Sequence, residues 1–233
     1  MEPLLDVGRQ ISQTLADTSI SAHYLAHFLA LAQTESTTTT TLSDLPSPVS
    51  RVIQALTSLQ ILHHSRIYHV PTTFYTWSLT RRALQMLSPS PSHLCKAVIL
   101  ENKRWRPTHP GSQYYCVMVQ YVHRVDTGRL MEYVRNVVGG DRQEKVAKKH
   151  FNFRLADQEE TEKRTGFMRN GVSPFGAREM WPVLLSEEIT RLSPPVMWFG
   201  GGHVDYKLAM PVDTFIKATK CQVADISVPD EHE

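Results

Sequence analysis

The segment from Thr165 to Gly176 constrains this chain more than any other. A charged, helix-like stretch from Asp157 to Arg164 stops at Gly166, and Gly166, Gly171, Pro174 and Gly176 then fall within eleven residues. That density shapes a backbone path rather than filling a core, since glycine reaches conformations closed to other residues. Such a loop exposes backbone N–H groups. A second cluster, Gly200-Gly201-Gly202, follows the apolar run Val196-Met197-Trp198-Phe199 and precedes the alternating segment Asp205-Tyr206-Lys207-Leu208-Ala209-Met210. This predicts two strands about a tight turn, where missing side chains let a ligand or another backbone come close.

The rest of the chain supplies alternating helices and strands. Apolar residues at helical spacing predict two helices at 4–16 and 20–33, followed by a five-threonine run at 37–41 and a proline-bearing linker. The predicted organisation is a helical extension with linker over 1–45 and a main domain over 46–233. Within the latter we expect a helix at 50–60, a strand at 61–70 ended by Pro71, and a short helix at 78–87. A buried-type strand follows at 94–100, then a strand at 114–122, helices at 130–138 and 141–150, and a short strand at 151–155. Strands at 181–185 and 196–199 flank a short helix, and Pro211 opens the last helix. The fold class is α/β (α+β), a mixed, partly barrel-like sheet surrounded by helices.

Composition excludes several classes. The chain has 233 residues, 41% of them hydrophobic, enough to bury a full core. Its longest apolar runs are too short to cross a bilayer, and the start lacks the basic residues of a secretory signal, so a soluble, cytoplasmic protein is expected. Cys95, Cys116 and Cys221 are odd in number and widely spaced, which favours free thiols over a disulfide framework or a zinc site. A net charge of +2 conceals a basic middle: residues 96–178 carry 16 Lys and Arg against 9 Asp and Glu. A polyanion-binding face has this character, as do ordinary solvated helix faces.

Familiar catalytic constellations are missing. The run Gly171-Val172-Ser173-Pro174-Phe175-Gly176 is not a nucleophile elbow, because its second glycine comes one place late and proline follows the serine. No phosphate-binding Gly-Lys-Ser/Thr is present. The histidines His23, His27, His63, His64 and His69 lack acidic or cysteine partners at ligand spacing, so neither metal nor cofactor is expected. Lys96, set among strand-forming apolar residues, is the oddity; an edge lysine with its stem on apolar surface would explain it, as would a site.

At these residues the sequence resembles the YbaK family, the aminoacyl-tRNA deacylase or synthetase-associated editing domain. The matching pieces are Thr165-Gly166 leading into Gly171 to Gly176, then Gly201-Gly202, then Met210-Pro211-Val212-Asp213-Thr214-Phe215-Ile216, and finally Val223-Ala224-Asp225-Ile226. The resemblance reaches upstream to about Ile61. It implies hydrolysis of the ester joining a wrong amino acid to the 3′-terminal adenosine of tRNA, with no cofactor. Lys96 falls where the family has a lysine in its active pocket, and would bind the terminal phosphate or polarise the ester carbonyl.

The remaining roles follow from that resemblance. Gly171, Ser173 and Pro174 belong to the loop whose amides would cradle the carbonyl or the attacking water, with Phe175 and Gly176 completing it. Ser173 would bond the amino acid or water, or else merely cap the turn. Gly201 and Gly202 would admit the terminal adenosine, and His203 its phosphates. The family usually has basic residues and a glycine where this chain has His203-Val204-Asp205, and an acid there opposes a phosphate unless it faces away. Lys103, Arg104, Arg106, Lys148, Lys149 and Arg169 could follow the acceptor stem. Expected partners are aminoacyl-tRNA and, through the N-terminal helices, a synthetase or multi-synthetase complex. Two other readings stay open: a non-catalytic module that binds tRNA or a synthetase, and a hydrolase of small esters or amides.

Overall fold

Every residue from Tyr114 to Gln120 is buried, and a strand buried on both faces must lie inside its sheet. The computed structural model describes residues 45–139 and 146–230, and within them the chain folds around that strand. The helices expected at 4–16 and 20–33, the threonine run, and the first half of the helix expected at 141–150 lie outside the described residues.

In chain order the elements are α1 (Ser47–Ser58), β1 (Arg66–His69), α2 (Leu79–Gln85), β2 (Cys95–Asn102), β3 (Tyr114–Gln120), β4 (His123–Val125), α3 (Thr127–Gly139) and β5 (Phe153–Leu155). There follow α4 (Gln158–Thr165), β6 (Val183–Ser186), α5 (Glu187–Thr190), β7 (Val196–Gly200), β8 (Tyr206–Pro211), α6 (Val212–Thr219), β9 (Gln222–Ala224) and β10 (Ser227–Pro229). A five-stranded sheet has the order β5-β2-β3-β6-β9, antiparallel from β5 to β3 and parallel from β3 to β9. A three-stranded antiparallel sheet has the order β1-β8-β7, and β4 pairs with β10. A single parallel bridge, Leu94 to Trp198, joins the two larger sheets. Among the described residues the strand pairings close no barrel.

Alternation along the strands sorts side chains into separate cores. Cys116, Met118, Ile99 and Leu185 face the smaller sheet and pack with Met197, Phe199, Leu208 and Met210. Tyr115, Val117, Leu100 and Leu184 face the other way, onto Leu130 and Val134 of α3. The outer side of the smaller sheet buries Trp198 and Ala209 under Phe74, Ala83 and Met86, from the 3-10 turn Thr72–Thr76 and from α2.

Several boundaries have clear local causes. Asp157 caps α4 by accepting from the N–H groups of Glu159 and Glu160 at 2.9 and 3.1 Å, and Gly166 closes the helix in the left-handed region at φ 71°. The strand expected at 61–70 shortens to four residues, because the Ile61 N–H bonds back to Leu56 O of α1 and Leu62–His64 then forms a 3-10 turn. In place of the expected helix, the described residues up to His150 hold only a 3-10 turn, Lys148–His150. Pro211 stands one place ahead of α6, as its cap residue.

Candidate functional site

β5 pairs with β2 only at Leu100, Glu101 and Asn102, so the preceding half of β2 presents an open edge on that side. The facing edge belongs to β7. Between them lies a cavity of about 520 Å³, bordered by Lys96, Ala97, Val98 and Ile99 of β2, by Trp198, Phe199 and Gly200 of β7, and by Lys207 of β8. Its remaining wall comes from Phe74 and Tyr75, from Arg82 and Met86 of α2, and from the loop residues Phe167, Arg169, Asn170 and Val172. Most of the lining is apolar or aromatic. It also carries four cations, Arg82, Lys96, Arg169 and Lys207, and no Asp or Glu among the described residues borders the cavity.

Lys96 points its ammonium at the ring of Tyr121, 5.4 Å from the centroid. No carboxylate pairs with it among the described residues. Arg82 is occupied in holding the wall together, donating to the carbonyls of Trp77 at 3.0 Å and Tyr75 at 2.8 Å. Cys95 also borders the cavity, but burial pushes its thiol far up, so it stays protonated and is no thiolate nucleophile.

Lys207 is the group that sequence reasoning missed. Only 4% exposed, it donates to the carbonyls of Val204 at 2.7 Å and Asn170 at 3.2 Å, and its ammonium lies 4.7 Å from the centre of the Tyr75 ring. Burial lowers its pKa to about 7; Asp205 opposes that shift and Arg82 adds to it. The Tyr75 hydroxyl donates to the same Asn170 carbonyl at 2.9 Å, and burial together with Tyr121 holds that phenol firmly protonated. The signal was available: lysine in a strand with Leu208, Ala209 and Met210 is the same anomaly that marks Lys96.

Of the residues proposed from sequence, Lys96 borders the main cavity, whereas the glycine-rich loop enters it at Phe167, Arg169, Asn170 and Val172 and not at Gly171, Ser173, Pro174, Phe175 or Gly176. Ser173 and Pro174 border a separate cleft of about 10 Å³, and the Ser173 hydroxyl accepts the N–H of Phe175 at 3.2 Å, as a turn cap does. Phe175 is 2% exposed and packs against Phe199 and Phe215, with ring centroids 6.3 and 5.8 Å away. Gly176, at φ 72°, lies under α1, where Arg51 donates to its carbonyl at 3.1 Å and to that of Gly166 at 2.8 Å.

The glycines bring backbone against backbone. The Gly202 N–H donates to Gly171 O at 3.0 Å and the Gly201 N–H to Tyr206 O at 3.0 Å, so neither is free for a nucleotide. A Cβ on Gly171 would stand 3.0 Å from the His203 backbone, and one on Gly202 2.7 Å from Pro48 O. Gly200, rather than its two followers, borders the cavity. His203 sits outside it, its Nδ1 accepting the Asp205 N–H at 3.2 Å with the Asp205 carboxylate 3.7 Å away. No three His, Cys, Asp or Glu side chains converge to hold a metal among the described residues.

The cavity at the meeting edges of the two sheets is thus lined by both cations and apolar side chains. The sequence profile of the aminoacyl-tRNA editing domain matches residues 78–218, and the chain belongs to that family. Among solved structures, a protein described as a proposed trans-editing enzyme for prolyl tRNA synthetase superposes with a TM-score of 0.61 at 22% identity, covering 79% of this chain and 99% of that one. A structure from work on grafting epitopes onto scaffold proteins gives 0.62 at 20% identity, with the same 79% and 99% coverage. A hypothetical protein gives 0.57 at 18%, covering 76% and 99%. These likenesses establish the fold. No curated protein matches the chain. No helix among the described residues is long and apolar enough to cross a membrane.

Proposed function

We propose that the protein deacylates mischarged aminoacyl-tRNA, hydrolysing the ester between amino acid and terminal ribose in the cavity between β2 and β7. The observation that carries this reading is the Lys96 ammonium, which borders the cavity without a carboxylate partner. With no carboxylate partner among the described residues, that cation is available to charge developing beside it, and an ester carbonyl becoming an oxyanion supplies that charge. The aminoacyl ester is already activated, so a positioned water suffices as nucleophile and no serine or cysteine is required. The open edge of β2 beside Lys96 offers backbone groups for the same carbonyl. The apolar wall of Met86, Trp198 and Phe199 receives the amino-acid side chain, and the basic middle of the chain lies along the acceptor stem.

Incubation with a panel of mischarged tRNAs, beside Lys96→Ala, tests the proposal. Release of the amino acid from at least one member, slowed roughly 100–1,000-fold in the variant, is the expected result. Binding of tRNA without hydrolysis of any member would refute it and leave a recognition module. Hydrolysis of small esters, indifferent to salt and to uncharged tRNA, would refute the substrate class.

A further inference from the structure

Lys207, the buried cation of the cavity, has no part in the ester chemistry just described. Lys207 stands directly across from Gly200 in the β7–β8 pairing, and directly opposed residues share one face of a sheet. Gly200 has no side chain, and the Val172 carbonyl fills the place of its Cβ, so loop backbone rather than a side chain lies over the partner strand there, and Lys207 still borders the cavity. Carbonyls of Asn170 and Val204 take two of its three protons, leaving one without a hydrogen-bond acceptor among the described residues. Tyr75 and Phe74 wall the group from solvent, at 4.7 and 5.7 Å from their ring centres.

We propose that Lys207 binds the phosphodiester that precedes the terminal adenosine, leaving Lys96 to the ester carbonyl. This inference rests on the aminoacyl-tRNA reading of the cavity. Carbonyl oxygens orient an ammonium without neutralising it, so an entering monoanion meets a preplaced cation that no protein carboxylate has to release. The charged and titratable groups about it are Asp205 in the turn before β8, Arg82 on α2, Tyr75 with Tyr121 behind it, and Lys96 and Arg169 elsewhere on the cavity wall. Asp205 alone among them is acidic. It favours the charged lysine, which resolves the conflict its position raised for a phosphate-bearing ligand.

The proposal has a signature that an ordinary surface lysine lacks. With the free group only about half protonated at pH 7 and less so above it, an anion that stabilises the charged form must draw a proton from solvent as it binds. The probe is CpA, the terminal dinucleotide of the tRNA tail, whose single phosphodiester does not titrate in this range. Calorimetry at about pH 8 in buffers of different ionisation enthalpy is expected to show uptake approaching one proton per CpA. Lys207→Met should abolish the uptake and weaken CpA about 10–100-fold, while adenosine binds both proteins alike. Lys207→Arg keeps a charge that does not titrate, and should bind CpA with no uptake; it also serves if the methionine variant fails to fold.

CpA affinity unchanged by Lys207→Met, or proton uptake that survives the substitution, overturns the assignment. Lys207-linked binding of free aspartate or glutamate in place of CpA overturns it too, in favour of an amino-acid side-chain subsite. Hydrolysis is not read in this experiment, so the two proposals fail separately. A protein that binds CpA through Lys207 yet deacylates nothing keeps the subsite and loses the hydrolase; deacylation of tRNA with KM indifferent to Lys207 does the reverse.

Discussion

Replacing Lys207 with methionine should change how stability depends on pH, in a direction and size that follow from burial. In the unfolded chain this lysine has its ordinary pKa near 10.4, whereas in the folded protein burial lowers it to about 7. The folded-state value is depressed, so between those limits the unfolded state binds more protons and stability rises with pH. The penalty of the buried charge is fully present below pH 7 and disappears above the unfolded pKa. At pH 7 roughly half of folded molecules carry the proton and nearly all unfolded ones do; by pH 9 the folded state has lost it, and the wild type should gain about 2 kcal/mol over that interval. With the side chain only 4% exposed, solvent screening removes little of this.

Other groups titrate as well, but they are common to wild type and Lys207→Met and cancel in the difference. Urea unfolding at about pH 7 and pH 9, with equal m-values, measures that difference directly. Two carbonyls lose their donor in the variant, which adds an offset of roughly 1–3 kcal/mol that does not vary with pH. The expected outcome is therefore a change in the wild-type-minus-variant gap by about 2 kcal/mol in favour of the wild type as pH rises. Parallel pH profiles would show that the ammonium is as well solvated or paired as one at the surface, and would refute the reasoning.

Ser173→Ala should cost about 1 kcal/mol in denaturant unfolding, the value of one turn hydrogen bond to Phe175, and leave deacylation within roughly twofold; a 100-fold fall in kcat, about 3 kcal/mol, would put the hydroxyl in the chemistry instead. Gly200→Ala places a Cβ 2.2 Å from the Val172 carbonyl oxygen, a backbone atom that cannot turn aside. It should lower stability by about 1–3 kcal/mol or more and reduce deacylation, since Val172 and Gly200 both wall the cavity. A melting temperature and rate equal to wild type would mean that the loop shifts freely there.

Local rules made much of this protein readable in advance. Asp157 and Gly166 bracket a helix because a carboxylate satisfies its first amides and glycine accepts the left-handed closure, and both requirements are written in neighbouring residues. Lys96 stood out because a charge among strand-forming apolar residues is anomalous wherever the strand lies. Which residues meet at the cavity was decided only by tertiary structure. Pairing register set Lys207 opposite Gly200, α1 brought Arg51 onto Gly166 and Gly176, and the glycine amides were spent holding Gly171 to Gly202 and Gly201 to Tyr206. A glycine in sequence permits close approach without saying whether ligand or backbone will come, because the partner is distant along the chain. A lysine in an alternating strand likewise does not reveal whether its face is covered until the opposite strand is known.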